Sequence, residues 1–313
     1  MYFKCVFVIV VKKEGITVQD WLKQIDDNTP VCDINLPGTH DSAARFVRFS
    51  YFARCQNRSI TEQLNMGIRF FDLRVEAVGD RLKLVHSIID CRKTRFGSEK
   101  LYMDDVLAQM FAFLDAHPSE AIFLLFKHDD GAVPPPATFK LFYERHVARE
   151  TRFFTENRLP LLGEVRGRIV LLNRCNAAEC GEEFDDGSSG VNLANWPEQG
   201  RYYADWNHDT PIYGVRQRDA FSTLYLQDFY SLPPQKKWEE AILPALTNAR
   251  EHNGFVLNYF SASHGVLGPR AYEAVIRRKA AKFEPEAGRK YGWLILDFPN
   301  EETVGRIIRS NRV

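Results

Sequence analysis

Residues 121–130 read Ala121-Ile-Phe-Leu-Leu-Phe-Lys127-His-Asp-Asp130: an unbroken apolar run, then four residues that carry charge or a titratable ring. An apolar run of this length without alternation is how a strand buried on both faces of a parallel sheet reads. The pattern recurs along the chain. Val31–Leu36 runs into Gly38-Thr39-His40-Asp41, Ile68–Val75 contains Asp72 and Arg74, and Leu82–His86 ends on its histidine. Arg168–Asn173 meets Arg174, Leu224–Gln227 meets Asp228 and Tyr230, Phe255–Tyr259 meets Ser261 and Ser263, and Trp293–Leu296 meets Asp297. Amphipathic stretches lie between several of these runs: Met103–Ala116, Phe139–Glu150, Pro234–Glu251, Pro269–Lys282 and Glu301–Arg309. Ala121–Lys127 completes a set of strand runs separated by helices, which predicts a single-domain α/β protein built as a (β/α)₈ TIM-type barrel. Barrel enzymes assemble their sites from the C-terminal ends of several strands. Polar groups at nearly every strand end therefore point to an enzyme.

Composition narrows the class further. The 313 residues carry 41 basic and 41 acidic side chains, a formal net charge of zero. That balance speaks against an electrostatic nucleic-acid binder, which carries a basic footprint. Mean hydropathy is -0.32, and no apolar stretch approaches the ~18 residues of a transmembrane helix. Phe outnumbers Met 23 to 4, so the interior is ring-rich. The six cysteines (Cys5, Cys32, Cys55, Cys91, Cys175 and Cys180) follow no framework spacing and read as reduced, core-packed thiols.

Boundary signals are local. Pro134-Pro135-Pro136 is expected to hold off a helix until Phe139, and Pro269 suits a first helical turn. Residues 1–20 read as an N-terminal extension, an extra strand or vestigial signal-like segment around Cys5–Val11, with the barrel over 21–313. Gly181–Asp209 is rich in Gly, Asp, Ser and Asn without period and reads as a long loop.

His40 and His86 each follow an apolar strand, and two imidazoles on neighbouring strands suit a general base and a general acid near neutral pH. Pro37-Gly38 before Thr39-His40-Asp41 predicts a tight turn. Asp72 and Arg74 stand at i, i+2 and share a face; an inward arginine there needs an anion, either Asp72 or a substrate phosphate.

Leu36-Pro-Gly-Thr-His-Asp-Ser42, Gly67-Ile-Arg-Phe-Phe-Asp-Leu-Arg74 and the strand ending at His86 resemble the X-domain of bacterial, single-domain phosphatidylinositol-specific phospholipases C. The resemblance spans roughly Trp21 to Asn300. It implies a distorted barrel that cleaves phosphatidylinositol to diacylglycerol and inositol 1,2-cyclic phosphate. His40 would take the inositol 2-hydroxyl proton, and Asp297 would hold that imidazole. His86, assisted by Asp41, would protonate the leaving glycerol oxygen, and Arg74 would stabilise charge on phosphorus. The resemblance assigns headgroup recognition to Lys127, Arg174, Asp228 and Tyr230, with Asp72 beside them.

Animal-type X-domains hold Ca²⁺ with carboxylates, one of them where Arg74 stands here, so no metal and no cofactor is expected. The segment after His40 interleaves Phe46, Phe49, Tyr51 and Phe52 with Arg45, Arg48 and Arg54. It reads either as an interfacial helix at a membrane rim or as core packing. The expected partners are a phosphatidylinositol headgroup and a membrane surface, touched peripherally by a monomer without nucleic acid. The resemblance implies a secreted or cell-surface enzyme, with the cytoplasm as the alternative. Two other readings are a metal-dependent glycerophosphodiester phosphodiesterase, whose His-Arg start is here His40-Asp41, and a non-catalytic phosphoinositide-binding module.

Overall fold

The structure, a computed structural model, describes residues 17–129, 131–175, 189–193, 196, 199, 213–216, 221–249 and 255–311. In chain order the strands are β1 (Leu36–Thr39), β2 (Phe70–Val78), β3 (Arg81–His86), β4 (Ile89–Asp90), β5 (Ile122–His128), β6 (Phe153–Phe154), β7 (Ile169–Asn173), β8 (Val191–Asn192), β9 (Tyr213–Arg216), β10 (Phe221–Gln227), β11 (Phe255–Tyr259) and β12 (Trp293–Leu296). The α-helices are α1 (Ser50–Ala53), α2 (Ile60–Asn65), α3 (Met103–Ala116), α4 (Pro135–Arg145), α5 (Leu162–Val165), α6 (Pro234–Lys237), α7 (Leu243–Asn248), α8 (Pro269–Ala280) and α9 (Glu301–Arg309).

The main sheet runs β6-β7-β5-β2-β1-β12-β11-β10-β9. It is parallel from β6 to β10, with β9 antiparallel at the edge. The expected single-domain α/β barrel is therefore present in distorted form, with no pairing between the two sheet edges among the described residues. The core strands are buried at every position of β1, β7, β11 and β12, which is why they read as unbroken apolar runs. Trp293 plugs the barrel where β12 begins. Its ring lies 4.4 Å from Phe255, 4.6 Å from Phe123 and 5.7 Å from Phe70, and its Nε1–H donates to Val31 O at 3.1 Å. Each such edge-on ring pair adds about 0.5–1.5 kcal/mol beyond burial.

Four expectations are corrected by this architecture. The Val31–Leu36 strand is a 3₁₀ turn at Val31–Asp33, with β1 starting only at Leu36. The tight turn expected at Pro37-Gly38 is instead the middle of β1. A Cβ on Gly38 would stand 2.7 Å from Phe70 Cδ1, so the glycine serves the close approach of β1 to β2. Leu82–His86 is not a barrel strand: β3 turns back antiparallel onto β2 and carries β4. Only Gly79 (φ 60) and Asp80 separate β2 from β3, too few residues for a parallel crossover. The helix expected from Phe139 begins at Pro135, because prolines in a first turn forfeit no intrahelical bond.

Other boundaries moved by a few residues. The stretch expected to be helical from Pro234 is interrupted by a π segment, Trp238–Ile242, just ahead of Pro244, whose missing N–H breaks the regular ladder. Residues 1–16 of the expected extension and most of the 181–209 loop lie outside the described residues, whereas Val18–Gln24 form a 3₁₀ helix that buries Trp21 and Leu22. Cys32, Cys55, Cys91 and Cys175 are buried. Among the described residues, no helix is long and apolar enough to cross a membrane.

Candidate active site

β1 ends where the chain must turn sharply. His40 N–H still donates to Leu296 O of β12 at 3.1 Å, and Asp41 then adopts φ 40. Gln56 Nε2 donates to His40 O at 2.6 Å, Thr39 Oγ1 donates to Gln63 Oε1 at 2.8 Å, and Gln63 Nε2 reaches Ser42 O at 2.9 Å. Ser87 and Phe298, which follow His86 and Asp297, are also left-handed, at φ 52 and φ 42. The successors of three expected catalytic groups thus all hold backbone conformations that cost of order 1–3 kcal/mol each, strain of the kind that collects at functional sites. Asn300 caps α9 by accepting from Thr303 N–H at 2.8 Å and so anchors the chain after Asp297.

These turns bring the expected residues together. His40 Nδ1 lies 2.9 Å from Asp297 Oδ1, and His40 Nε2 lies 3.2 Å from Asp41 Oδ2. His86 Nε2 approaches the same Asp41 oxygen at 3.4 Å, while its Nδ1 lies 2.6 Å from Ala53 O. The two imidazoles stand edge to face with centroids 6.2 Å apart. Only a donor satisfies the Ala53 carbonyl, so His86 Nδ1 carries a proton and Nε2 is the exchanging atom. By the same logic His40 Nδ1–H donates to Asp297 and Nε2 is free to act as base.

Arg74 is ringed by carboxylates: Asp41 Oδ1 at 3.2 Å, Asp72 Oδ2 at 3.1 Å and Asp129 Oδ1 at 3.8 Å. Burial opposes its charge, yet Asp41, Asp72 and Asp129 hold the guanidinium well above its ordinary pKa. Asp129 is a residue to which the sequence assigned no role. It accepts from Lys127 Nζ at 2.5 Å and from Ser87 N–H, so it ties the β3 hairpin to β5. Burial works against its charge too, but Arg74 and Lys127 outweigh it and hold the carboxyl below its usual range.

Burial, followed by the Arg74 charge, pushes His40 well below the ordinary imidazole pKa, although the side chain remains 15% exposed. The ring is therefore neutral, as a base must be. Burial raises the carboxyls of Asp41 and Asp297. Lys237, from α6, was missed altogether. It is fully buried, donates to Ser261 O at 2.5 Å and is pulled down by burial to about 7, with Asp228 and Asp297 opposing. Sequence offers no signal for it, since a lysine in a basic helical turn reads as solvated.

The expected headgroup residues gather on the next strand ends. An Asx turn, Cys175 N–H to Asn173 Oδ1 at 2.8 Å, presents Arg174. Gln227 accepts from Phe229 N–H at 3.0 Å and presents Asp228 between them. Trp196 joins the two: Arg174 lies 3.9 Å over its ring, and its Nε1–H donates to Asp228 Oδ2 at 3.2 Å. Tyr259 bridges back, with ring centroids 5.8 Å from Trp196 and 6.2 Å from His40. Trp196 and Gln199, whose Oε1 accepts from Asp228 N–H at 2.6 Å, belong to the aperiodic 181–209 stretch, so part of that loop lines the site. Tyr230 lies at the rim, 43% exposed.

The aromatic segment divides. Phe49, Tyr51 and Phe52 of α1 and its N-cap are exposed, whereas Phe46 is half-buried with Arg45 4.6 Å over its ring. Tyr51 Oη donates to Val266 O at 2.9 Å, joining this rim to a second exposed loop. Two groups of side chains have metal-ligating character, His40-Cys55-Asp297 and Asp41-Cys55-His86. The Arg74 guanidinium occupies the space between the carboxylates of Asp41, Asp72 and Asp129.

Two imidazoles and a carboxylate-ringed arginine thus gather at the C-terminal strand ends of a parallel barrel, the face on which barrel enzymes build their sites. The PI-PLC X family model matches residues 28–158. The 1-phosphatidylinositol phosphodiesterase of Listeria monocytogenes is 26% identical over 96% of this chain and 87% of its own length. That of Staphylococcus aureus strain Newman is 26% identical over 94% of each. In fold, the chain matches the L. monocytogenes phosphatidylinositol-specific phospholipase C with a TM-score of 0.68 at 24% identity, covering 95% of this chain and 100% of that one. A structure of the S. aureus enzyme concerned with modulation of its membrane binding matches at 0.75 and 23%, covering 95% and 98%. Residues 28–158 thus resemble the X-domain of phosphatidylinositol-specific phospholipases C, and the likeness to the bacterial enzymes extends over nearly the whole length.

Proposed function

We propose that this enzyme cleaves phosphatidylinositol, or a glycosyl-phosphatidylinositol, between phosphorus and the glycerol oxygen without a metal ion. His40 Nε2 takes the proton of the inositol 2-hydroxyl as that oxygen bonds to phosphorus. The phosphorus–glycerol oxygen bond breaks, and the departing oxygen takes the proton carried by His86 Nε2, with the Asp41 carboxylate beside it. The products are diacylglycerol and inositol 1,2-cyclic phosphate, which water opens slowly with the two histidines in exchanged roles.

The observation that carries this reading is the shared oxygen: both Nε2 atoms face Asp41 Oδ2, at 3.2 and 3.4 Å, with Arg74 bonded to the other oxygen of that carboxylate. Phosphoryl transfer asks a protein chiefly for positioning and charge stabilisation. The internal nucleophile also gains from proximity. Arg74 stands where a metal would otherwise supply positive charge, which supports metal independence. Lys127, Arg174, Asp228 and Tyr230 would pair with the inositol hydroxyls and ring, and Phe49, Tyr51 and Phe52 would enter the lipid surface. The enzyme would work as a monomer held peripherally on a membrane at or outside the cell surface. Phosphorus NMR of phosphatidylinositol hydrolysis in EDTA tests the reading. A five-membered cyclic phosphate is expected first; its absence, or arrest by the chelator, overturns it.

A further inference from the structure

One buried group beside the catalytic histidines plays no part in the mechanism above. Cys55 is fully buried, and its Sγ lies 3.8 Å from His86 Nδ1 and 3.7 Å from Ala53 O. Ligand atoms of Asp41, Cys55 and His86 all lie within 4.8 Å of one another. A second feature of the same spot points to a cation. Asp41 Oδ2 is a buried carboxylate oxygen with no hydrogen bond among the described residues, and it faces the exchanging nitrogen of His86. When that nitrogen is deprotonated, two lone pairs oppose each other across 3.4 Å. Either a proton or a metal ion relieves this. In a tetrahedral site with bonds of about 2.0–2.3 Å, neighbouring ligand atoms stand about 3.3–3.7 Å apart; the three atoms, now within 4.8 Å of one another, would draw together by rotation of the thiol and the ring, with water as the fourth ligand.

We propose that Asp41, Cys55 and His86 form an inhibitory site for a thiophilic divalent cation of the Zn²⁺ class. The local charge permits it: Asp41, Asp72, Asp129 and Asp297 outnumber Arg74, Lys127 and Lys237 around the spot. Arg74 fills the centre of the all-oxygen cluster, but it pairs with Asp41 through Oδ1 and leaves Oδ2, the oxygen that faces His86, to a cation. A thiolate with an imidazole selects Zn²⁺ or Cd²⁺ over Ca²⁺ and Mg²⁺, which prefer oxygen. Binding forms an S–metal bond and releases the thiol proton to solvent, since the thiolate is the ligand. It also takes the lone pair of His86 and an oxygen of Asp41, so the acid is lost while the cation stays. The 20% exposed edge of His86 gives the ion its way in.

The test uses the whole protein, stripped with EDTA. Titration with Zn²⁺ is expected to abolish turnover, excess EDTA to restore it, and Ca²⁺ and Mg²⁺ to leave it unchanged. In Cys55→Ser, inhibition, normalised to that variant's own activity in EDTA, should weaken on the order of 10-fold or more, a scale that even outer-shell partners of a metal command. Co²⁺ provides a readout independent of turnover. Wild type and Cys91→Ser should show a near-ultraviolet thiolate-to-cobalt absorption, and Cys55→Ser should lack it. A band that persists in Cys55→Ser, or is absent from wild type, overturns the proposal, as does equal Zn²⁺ sensitivity of Cys55→Ser. The proposal concerns the residues of the proposed catalytic site, but the cobalt spectrum reads binding directly. An enzyme inactive on phosphatidylinositol yet showing the band would refute the assigned reaction alone.

Discussion

Arg74 Nε lies 3.2 Å from Asp41 Oδ1. The arginine thereby fixes the carboxylate whose other oxygen faces both imidazoles, and in the proposed mechanism this would join charge stabilisation and proton delivery in one unit. Arg74→Lys keeps a charge but loses the planar fork that reaches Asp41 and Asp72 together. We expect kcat to fall on the order of 10³-fold for Arg74→Lys, with a smaller change in KM, because the missing interaction acts on charge that builds up in the transition state. Steady-state kinetics on micellar phosphatidylinositol checks this; a loss confined to KM would show that Arg74 merely binds.

His40 should set the acid limb of the pH profile. Burial and Arg74 depress His40, so the base is neutral well below pH 6.5, and the acid limb of kcat/KM should lie below that value. Each single alanine substitution should cost on the order of 10²–10⁴-fold in kcat. The double variant should cost little more than either, since both protons move in one exchange. Fully additive losses would place the two rings in separate steps.

How much of this was legible depends on the kind of residue. β11 and β12 were read to the residue because a strand buried on both faces is an unbroken apolar run. β1 was misread because Pro37-Gly38 carries turn chemistry, and only the Phe70 ring explains why glycine is required inside a strand. His40, His86, Arg74 and Asp297, which the structure brings together, were legible because each ends or interrupts an apolar run. Asp129, Trp196, Lys237 and Cys55 were not, since their importance lies in neighbours on other elements that no local pattern records.

Lys237 couples stability to pH. Its ordinary pKa of 10.5 falls to about 7 in the folded state, chiefly through burial, against the charges of Asp228 and Asp297. Between about pH 7 and 10.5 the unfolded chain therefore binds more protons than the folded one, and folding stability rises with pH, by at most about 1.4 kcal/mol per unit. Below that window both states carry the charge and the penalty is present in full. Lys237→Met should remove this slope, so urea unfolding at pH 7 and 9 is expected to show a larger gain for wild type than for the variant. Parallel pH profiles would contradict burial of an uncharged amine.

The exposed rings of the rim should act on lipid but not on chemistry. Phe49 and Phe52 are 74% and 63% exposed. Full burial of such a side chain is worth about 1.5–3 kcal/mol. Phe49→Ser with Phe52→Ser should weaken binding to phosphatidylinositol-containing vesicles by at least 10-fold, while hydrolysis of the soluble cyclic phosphate stays within a factor of about 2 of wild type, since neither ring reaches His40 or His86. Vesicle sedimentation beside cyclic phosphate turnover separates the two effects.

At the opposite end of the barrel, Arg69 and Glu120 form a fully buried ion pair at 2.7 Å. The guanidinium also donates to Leu64 O, Ile68 O and Gln19 O, so its donors are largely satisfied. Its plane lies 4.6 Å from the Phe113 ring. A buried charge stripped of its partner is costly, and Glu120→Ala is expected to lower stability by about 3–5 kcal/mol. The pair sits beneath the strands rather than at their catalytic ends, so whatever protein remains folded should turn over normally. Chemical denaturation and active-site titration of the soluble fraction measure the two quantities, and a stable but slow Glu120→Ala would mean that the floor of the barrel governs the geometry of its mouth.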